Sequence, residues 1–164
     1  MRVLVTSPVF PPDLGGPAVY VPSLARFLLD QGHEVRVVAF CSDPEPKGHP
    51  FSVQAISRGS LPVRYLRAFF TVFKAAGWAD VVYVNEHLAF LHVLAAKLRR
   101  KPVVIRIMVD GAWEISHRKG WCGTDNIVEF QDHKYGWQVR FVRFLQRRWW
   151  SWCTGIISCS EFLR

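Results

Sequence analysis

The feature that most constrains this chain is an alternation of short β-branched runs with helical stretches. Arg2–Ser7 (RVLVTS), Val35–Phe40, Asp80–Asn85 (DVVYVN), Val103–Val109 and Gly155–Cys159 (GIISC) read as strands, and Ser52–Ser57 alternates weakly as a further one. Helical periodicity fills the gaps at Pro17–Gln31, Val63–Trp78, Leu88–Leu98, Asn126–His133 and Tyr135–Trp152. Val21, Leu24, Ala25, Leu28 and Leu29 share one face of the first helix, and Gly32 stands where a C′ glycine belongs. Asp110–Asp125 shows little periodicity and reads as irregular. Strands separated by helices call for parallel pairing with helices on both sheet faces. Right-handed crossovers then give a Rossmann-like, doubly wound α/β sheet of about six strands. The 164 residues make one domain, 1–164. Ser160 suits the N-cap of a helix opening with Glu161, and a chain stopping there is expected to be part of a longer protein.

Composition excludes several classes. Half of the residues are apolar and 21% are charged, which is incompatible with a disordered chain. No apolar run reaches the roughly 18 residues of a membrane span. The N-terminus, MRVLVTSPVF, lacks the apolar core of a signal peptide. Cys41, Cys122, Cys153 and Cys159 have neither C-x-x-C nor metal-ligand spacing, so reduced thiols in a cytoplasmic protein are expected, without a metal or cofactor. Lys and Arg outnumber Asp and Glu by 21 to 13, a net charge of +8 that favours anionic partners. Nucleotides and anionic lipid are the expected ones, and nucleic acid is not.

Ligands of an open parallel sheet sit beyond the carboxyl ends of its strands. The first strand is followed by a loop with four prolines and the pair Gly15-Gly16 at a helix start. Paired glycines let backbone N–H groups approach a phosphate, and the helix dipole favours its charge. A loop that merely needs glycine before a Pro-started helix explains the same residues equally well. The dinucleotide pattern G-x-G-x-x-G and the Walker loop are both absent. Asn85, Glu86 and His87 follow the Asp80–Asn85 strand; they suit hydrogen bonding to polyols, or simply the cap and first turn of the next helix.

The densest cluster follows Val103–Val109: Asp110, Trp113, Glu114, His117 and Arg118 within a few residues. Carboxylates accept from sugar hydroxyls, an indole offers a flat apolar face, and His or Arg can meet phosphate. Asp110 and Glu114 are the candidate catalytic residues.

The helix Tyr135–Trp152 is amphipathic. Arg140, Arg143 and Arg147 form one stripe, and Phe141, Val142, Leu145, Trp149 and Trp152 the other. Residues 134–152 hold five cations and no acid. With Arg64, Arg67 and Lys74 these cations suit an anionic membrane face, where Trp149 and Trp150 would sit at headgroup depth. An ordinary surface helix whose apolar stripe packs on the sheet is the plainer alternative.

These segments together resemble the N-terminal domain of a glycosyltransferase family 4 enzyme with the two-domain GT-B fold. The likeness covers nearly the whole chain. It lies in MRVLVTSPVFPPDLGGPAVYVPSLARFLLDQGHEVRVVAF, DVVYVNE, PVVIRIMVDGAWEISHRKG and GIISCSEFL. The resemblance implies a retaining transferase that uses a nucleotide-sugar donor and a lipid-linked or polysaccharide acceptor, peripheral on the inner membrane face. It implies that Gly15 and Gly16 approach the donor diphosphate, and that Asp110, Trp113 and Glu114 face the transferred sugar. Val109 stands where many relatives carry His or Gly. A second, donor-binding domain is implied as partner, without which the chain is expected to be silent. A stand-alone membrane or nucleotide-binding module without catalysis is the alternative, and a dehydrogenase fragment is disfavoured by the missing fingerprint.

Overall fold

A computed structural model of the chain describes residues 1–57, 59–85 and 89–159. Its elements run β1 (Arg2–Ser7), α1 (Gly16–Asp30), β2 (Glu34–Phe40), β3 (Ser52–Ile56), α2 (Leu61–Ala76), β4 (Val81–Val84) and α3 (Phe90–Leu98), then β5 (Val103–Ile107), α4 (Gly111–Arg118), α5 (Ile127–Asp132), α6 (Trp137–Trp150) and β6 (Gly155–Ser158). The six strands form one sheet in the order β3-β2-β1-β4-β5-β6. Every pairing is parallel, with Val5 beside both Val37 and Tyr83. This is the doubly wound α/β sheet expected from the alternation. Glu86, His87 and the start of the Leu88–Leu98 helix, and likewise Ser160 and Glu161, lie outside the described residues.

Both faces of the central strands are buried, which is why they read as near-continuous apolar runs, whereas the edge strands β3 and β6 are partly exposed. Val3, Val5, Val35, Val37 and Ala39 pack with Val21 and Ala25 of α1 on one face. Leu4, Val38, Val82, Val84 and Ile105 pack with α2 and α3 on the other. The helix α1 ends as predicted: Gly32 takes φ 77°, His33 N–H donates to Leu28 C=O at 3.0 Å and Gly32 N–H to Leu29 C=O at 2.8 Å.

Three expectations change. First, the stretch after β5 is not irregular, because Asp110 caps α4 and Asn126 caps α5 with a reciprocal Glu129 bond. Ala112, Cys122, Phe130 and Val139 close a small satellite core under these helices. Second, Leu66, Phe69, Phe70 and Phe73, which share one face of the Val63–Trp78 helix by spacing, divide: Phe69 and Phe73 pack on the core beside Ala68, Val72 and Ala76, while Leu66 and Phe70 face solvent. Small residues let α2 approach α3 and the sheet closely, so the large side chains are displaced to the rim. Third, the apolar stripe of α6 divides. Val142, Trp149 and Trp152 pack inward with Val139 and Gln146, whereas Phe141 and Leu145 face out together with Phe144.

Candidate functional site

The strand order reverses between β1 and β4, and in such sheets ligands sit in the crevice beyond the carboxyl ends of the strands at that point. The loop after β1 forms one wall. Fully buried Phe10 anchors it, with the His49 ring 5.0 Å away. The Cys41 thiol donates to Pro11 C=O at 3.2 Å, and the Ser42 hydroxyl and backbone N–H both donate to Asp13. These contacts fix the approach to Gly15 and Gly16. A side chain at Gly15 would press on Val9 at 3.1 Å, whereas one at Gly16 would point into open space. No side chain caps α1, and Pro17 removes one of the N–H groups that would need a partner. The Gly16 turn therefore presents backbone donors at the crevice, and packing within this chain does not demand its glycine.

Asn85 lies on the opposite wall and is buried. Arg106 of β5, which lacks an ion-pair partner among the described residues, donates from Nη1 to Asn85 Oδ1 at 3.3 Å. Its guanidinium stacks 3.9 Å over the Tyr20 ring, and the Tyr20 and Tyr83 hydroxyls meet at 2.9 Å. Burial first, and the Tyr20 bond second, raise the Tyr83 phenol above its ordinary range. Arg106, Tyr20 and Tyr83 were missed in the sequence. The available signal was an arginine inside an otherwise apolar strand. Glu86 lies outside the described residues.

Asp110 is placed as a junction beneath the surface. Its Oδ1 accepts from Ala112 N–H at 2.8 Å, Trp113 N–H at 3.2 Å and Gln146 Nε2 at 3.0 Å, and its Oδ2 accepts from Gln131 Nε2 at 2.8 Å. Gln146 Oε1 in turn accepts from Ala112 N–H at 2.8 Å. This network, rather than apolar periodicity, sets the rotation of α6. Trp113 is half-buried and donates from Nε1 to Asp125 C=O at 3.1 Å. Its ring lies 5.2 Å from that of His117. Glu114 sits half-buried in the first turn of α4, while His117 and Arg118 are exposed in its last. The Asp110-to-Arg118 cluster is therefore spread along a helix and does not converge on one point.

The cationic residues divide as well. Arg67, Lys74, Arg140 and Arg147 are exposed. Arg64 turns inward, 5.1 Å over the Phe40 ring. Arg143 lies 4.1 Å over Phe130 and donates to that residue's carbonyl. Trp149 is buried and Trp150 packs at the margin of the main core, so neither stands at headgroup depth as expected. The most exposed apolar side chains of α6 are Trp137 (73%), Phe141 (53%) and Phe144 (61%), with Leu145 less so. No helix among the described residues is long and apolar enough to cross a membrane.

Beside the start of α6, Asp125 accepts from the Tyr135 hydroxyl and from His133 Nδ1 at 2.8 Å. The Tyr135 bond foremost, and the His133 bond next, hold the Asp125 carboxyl below its usual range. The same carboxylate raises His133.

Residues 15–164 match the family described as glycosyl transferase 4-like domain. No curated protein sequence matches the chain. Among solved structures, HepE of Anabaena in complex with UDP is similar at a TM-score of 0.46 and 19% identity, covering 65% of this chain and 29% of that one. Its structure with UDP and glucose gives 0.47 and 22% over the same shares. The Phytolacca americana UGT2, complexed with UDP-2fluoro-glucose and pterostilbene, gives 0.54 at 11% identity and supports the fold assignment; it covers 96% of this chain and 47% of that one. The chain thus spans less than half the length of these structures.

Proposed function

Because the chain belongs to the glycosyl transferase 4-like family, we propose that it forms the acceptor-side half of a retaining, two-domain sugar transferase of GT-B type. The donor is a nucleotide sugar, and the acceptor is a lipid-linked or polysaccharide precursor. The observation that carries this reading is the uncapped N-terminus of α1 at the strand-order reversal, with open space before Gly16. When a donor-binding half closes over the crevice, the Gly15–Gly16 backbone meets the diphosphate. Asn85, held by Arg106, meets a substrate hydroxyl on the other wall. Asp110 acts as a positioning residue for the loop and for α6, while Glu114 and Trp113 face the transferred sugar. The second half supplies the remaining donor contacts, since transfer requires both substrates held together.

Nucleotide release from a panel of nucleotide sugars tests the reading. The chain alone gives background release. The same chain joined to a donor-binding half releases nucleotide from one donor, and Gly16→Val in that protein lowers kcat/KM by about tenfold or more. Turnover by the isolated chain, or none by the two-domain protein with any donor, overturns it.

A second reading concerns location. The outward face of α6 combines Trp137, Phe141 and Phe144 with Arg140, Arg147 and Arg148. Exposed apolar side chains among cations fit the surface of an anionic bilayer. The outward face of α2 repeats the combination, with Leu66 and Phe70 beside Arg67 and a groove of about 490 Å³ against Ile56. Salt-dependent co-sedimentation with anionic vesicles, absent with neutral ones, is the expected result.

A further inference from the structure

A cavity of about 550 Å³ lies where α6 begins, lined by His133, Lys134, Tyr135, Arg140 and Arg143. Four of these five side chains carry or can take a positive charge. The Asp125 carboxylate beside it is already engaged by the Tyr135 hydroxyl and His133 Nδ1. Arg143 is fixed as a wall by its stack on Phe130 and its bond to the Phe130 carbonyl. Lys134 and Arg140 are exposed and have no carboxylate partner among the described residues. The first turn of α6 adds no acid and no side-chain cap. Asp125, with Glu129 and Asp132 nearby, acts on His133 alone among these cations, so Lys134, Arg140 and Arg143 leave the cavity a surplus of positive charge that suits an anion.

The surroundings select the kind of anion. Trp137, Phe141 and Phe144 follow at helical spacing and are more than half exposed. Arg140, a wall of the cavity, stands between Trp137 and Phe141 on the same face. A free phosphate has no use for that apolar stripe. In a lipid at a bilayer surface, the phosphate and the acyl chains lie side by side, as the cations and aromatics do here. We propose that this cavity binds the phosphomonoester headgroup of a bilayer lipid, with the α6 aromatics entering the acyl layer beside it. The proposal deepens the membrane-surface reading above and rests on it.

The test uses the chain with vesicles of phosphatidylcholine carrying either phosphatidic acid, a phosphomonoester, or phosphatidylglycerol, a phosphodiester, adjusted to equal surface potential. Co-sedimentation is expected to favour phosphatidic acid by about fivefold or more. Because each cation near an anionic surface contributes about fivefold, the double variant Lys134→Gln/Arg140→Gln is expected to bind phosphatidic acid about 25-fold more weakly and to lose the preference. Both positions are exposed, and unchanged far-ultraviolet dichroism checks that the variant is folded. Phe141→Ser is expected to weaken binding to both vesicles while keeping the preference. Equal partition onto the two vesicles, or a preference that survives the double variant, overturns the headgroup site and leaves the surface reading standing. No binding to either vesicle overturns both. Failure of sugar transfer, with the lipid preference intact, overturns the transferase reading alone.

Discussion

Replacing Asp110 separates a chemical role from a positioning one. Its two oxygens accept four hydrogen bonds, two from the first turn of α4 and two from the amides of Gln131 and Gln146. In Asp110→Ala the Ala112 N–H keeps its bond to Gln146 Oε1, so the cap loss costs about 1 kcal/mol. Gln146 is buried, and its stranded amide hydrogen costs a further 1–3 kcal/mol or so. Gln131 is exposed and recovers water. The sum is about 2–4 kcal/mol, which at a urea slope of about 2 kcal/mol/M lowers the unfolding midpoint by about 1–2 M. Asp110→Asn keeps the Oδ1 contacts, and the exposed Gln131 amide can turn to meet the new NH₂ group. It is expected to cost about 1 kcal/mol and to retain most transfer activity in the two-domain protein. An alanine variant within about 0.5 kcal/mol of the parent would refute the junction role. So would a stable asparagine variant with transfer abolished, since that pattern belongs to a catalytic carboxylate.

Burial holds His92 down to about 4, so the unfolded chain binds a proton below pH 6.5 that the folded chain refuses; stability is full above that pH and falls by about 2 kcal/mol on going to pH 5. His92→Leu should flatten that slope in urea titrations, and an unchanged slope would contradict the assignment. Arg2 holds the Asp80 carboxyl down to about 2, chiefly through its side-chain bond, so the stability linked to this pair is present above pH 3.8 and lost as pH falls through 2. A carboxyl resonance of Asp80 titrating near its ordinary value would show that the pair does not persist in solution. On α6, Phe144→Ser is expected to change stability by less than about 0.5 kcal/mol, whereas Val139→Ser, facing the satellite core, should cost about 2–3 kcal/mol; comparable costs at both positions would reverse the orientation of the helix.

The strands and their parallel pairing were legible because the central strands are buried on both faces and announce themselves locally. Val3, Val5, Leu4 and Thr6 are all buried, two on each face, so no register or partner need be known to recognise the run. The turn at Gly32 was legible for the same reason, since a left-handed C′ residue is a local requirement. The place of Gly15 and Gly16 at the start of the helix after β1 was legible because it follows from topology alone. Arg106 was not, because its meaning depends on Asn85, Tyr20 and Tyr83, three residues from two other elements.

The two helices whose apolar faces divide between core and solvent share one cause. Apolar periodicity identifies the inward face only where burial of large side chains is what fixes the rotation. In α2 the inward face is Ala68, Val72 and Ala76, because close helix approach favours small side chains there. In α6 the inward face carries Gln146 and Arg143, drawn in by Asp110 and by the Phe130 ring. A buried polar bond left unmade costs more than one exposed aromatic, so the network prevails over the stripe and Phe141 and Phe144 are left outward. The consequence is functional as well as geometric. The same Asp110 that reads in sequence as a catalytic acid sets which face of α6 meets solvent, and so whether aromatics stand beside the cavity at Lys134 and Arg140. Loosening that junction with Asp110→Ala should therefore weaken vesicle binding although Asp110 touches no lipid, and Asp110→Asn should leave it largely intact. A loss of binding by the asparagine variant equal to that of alanine would break the link between the junction and the outward face.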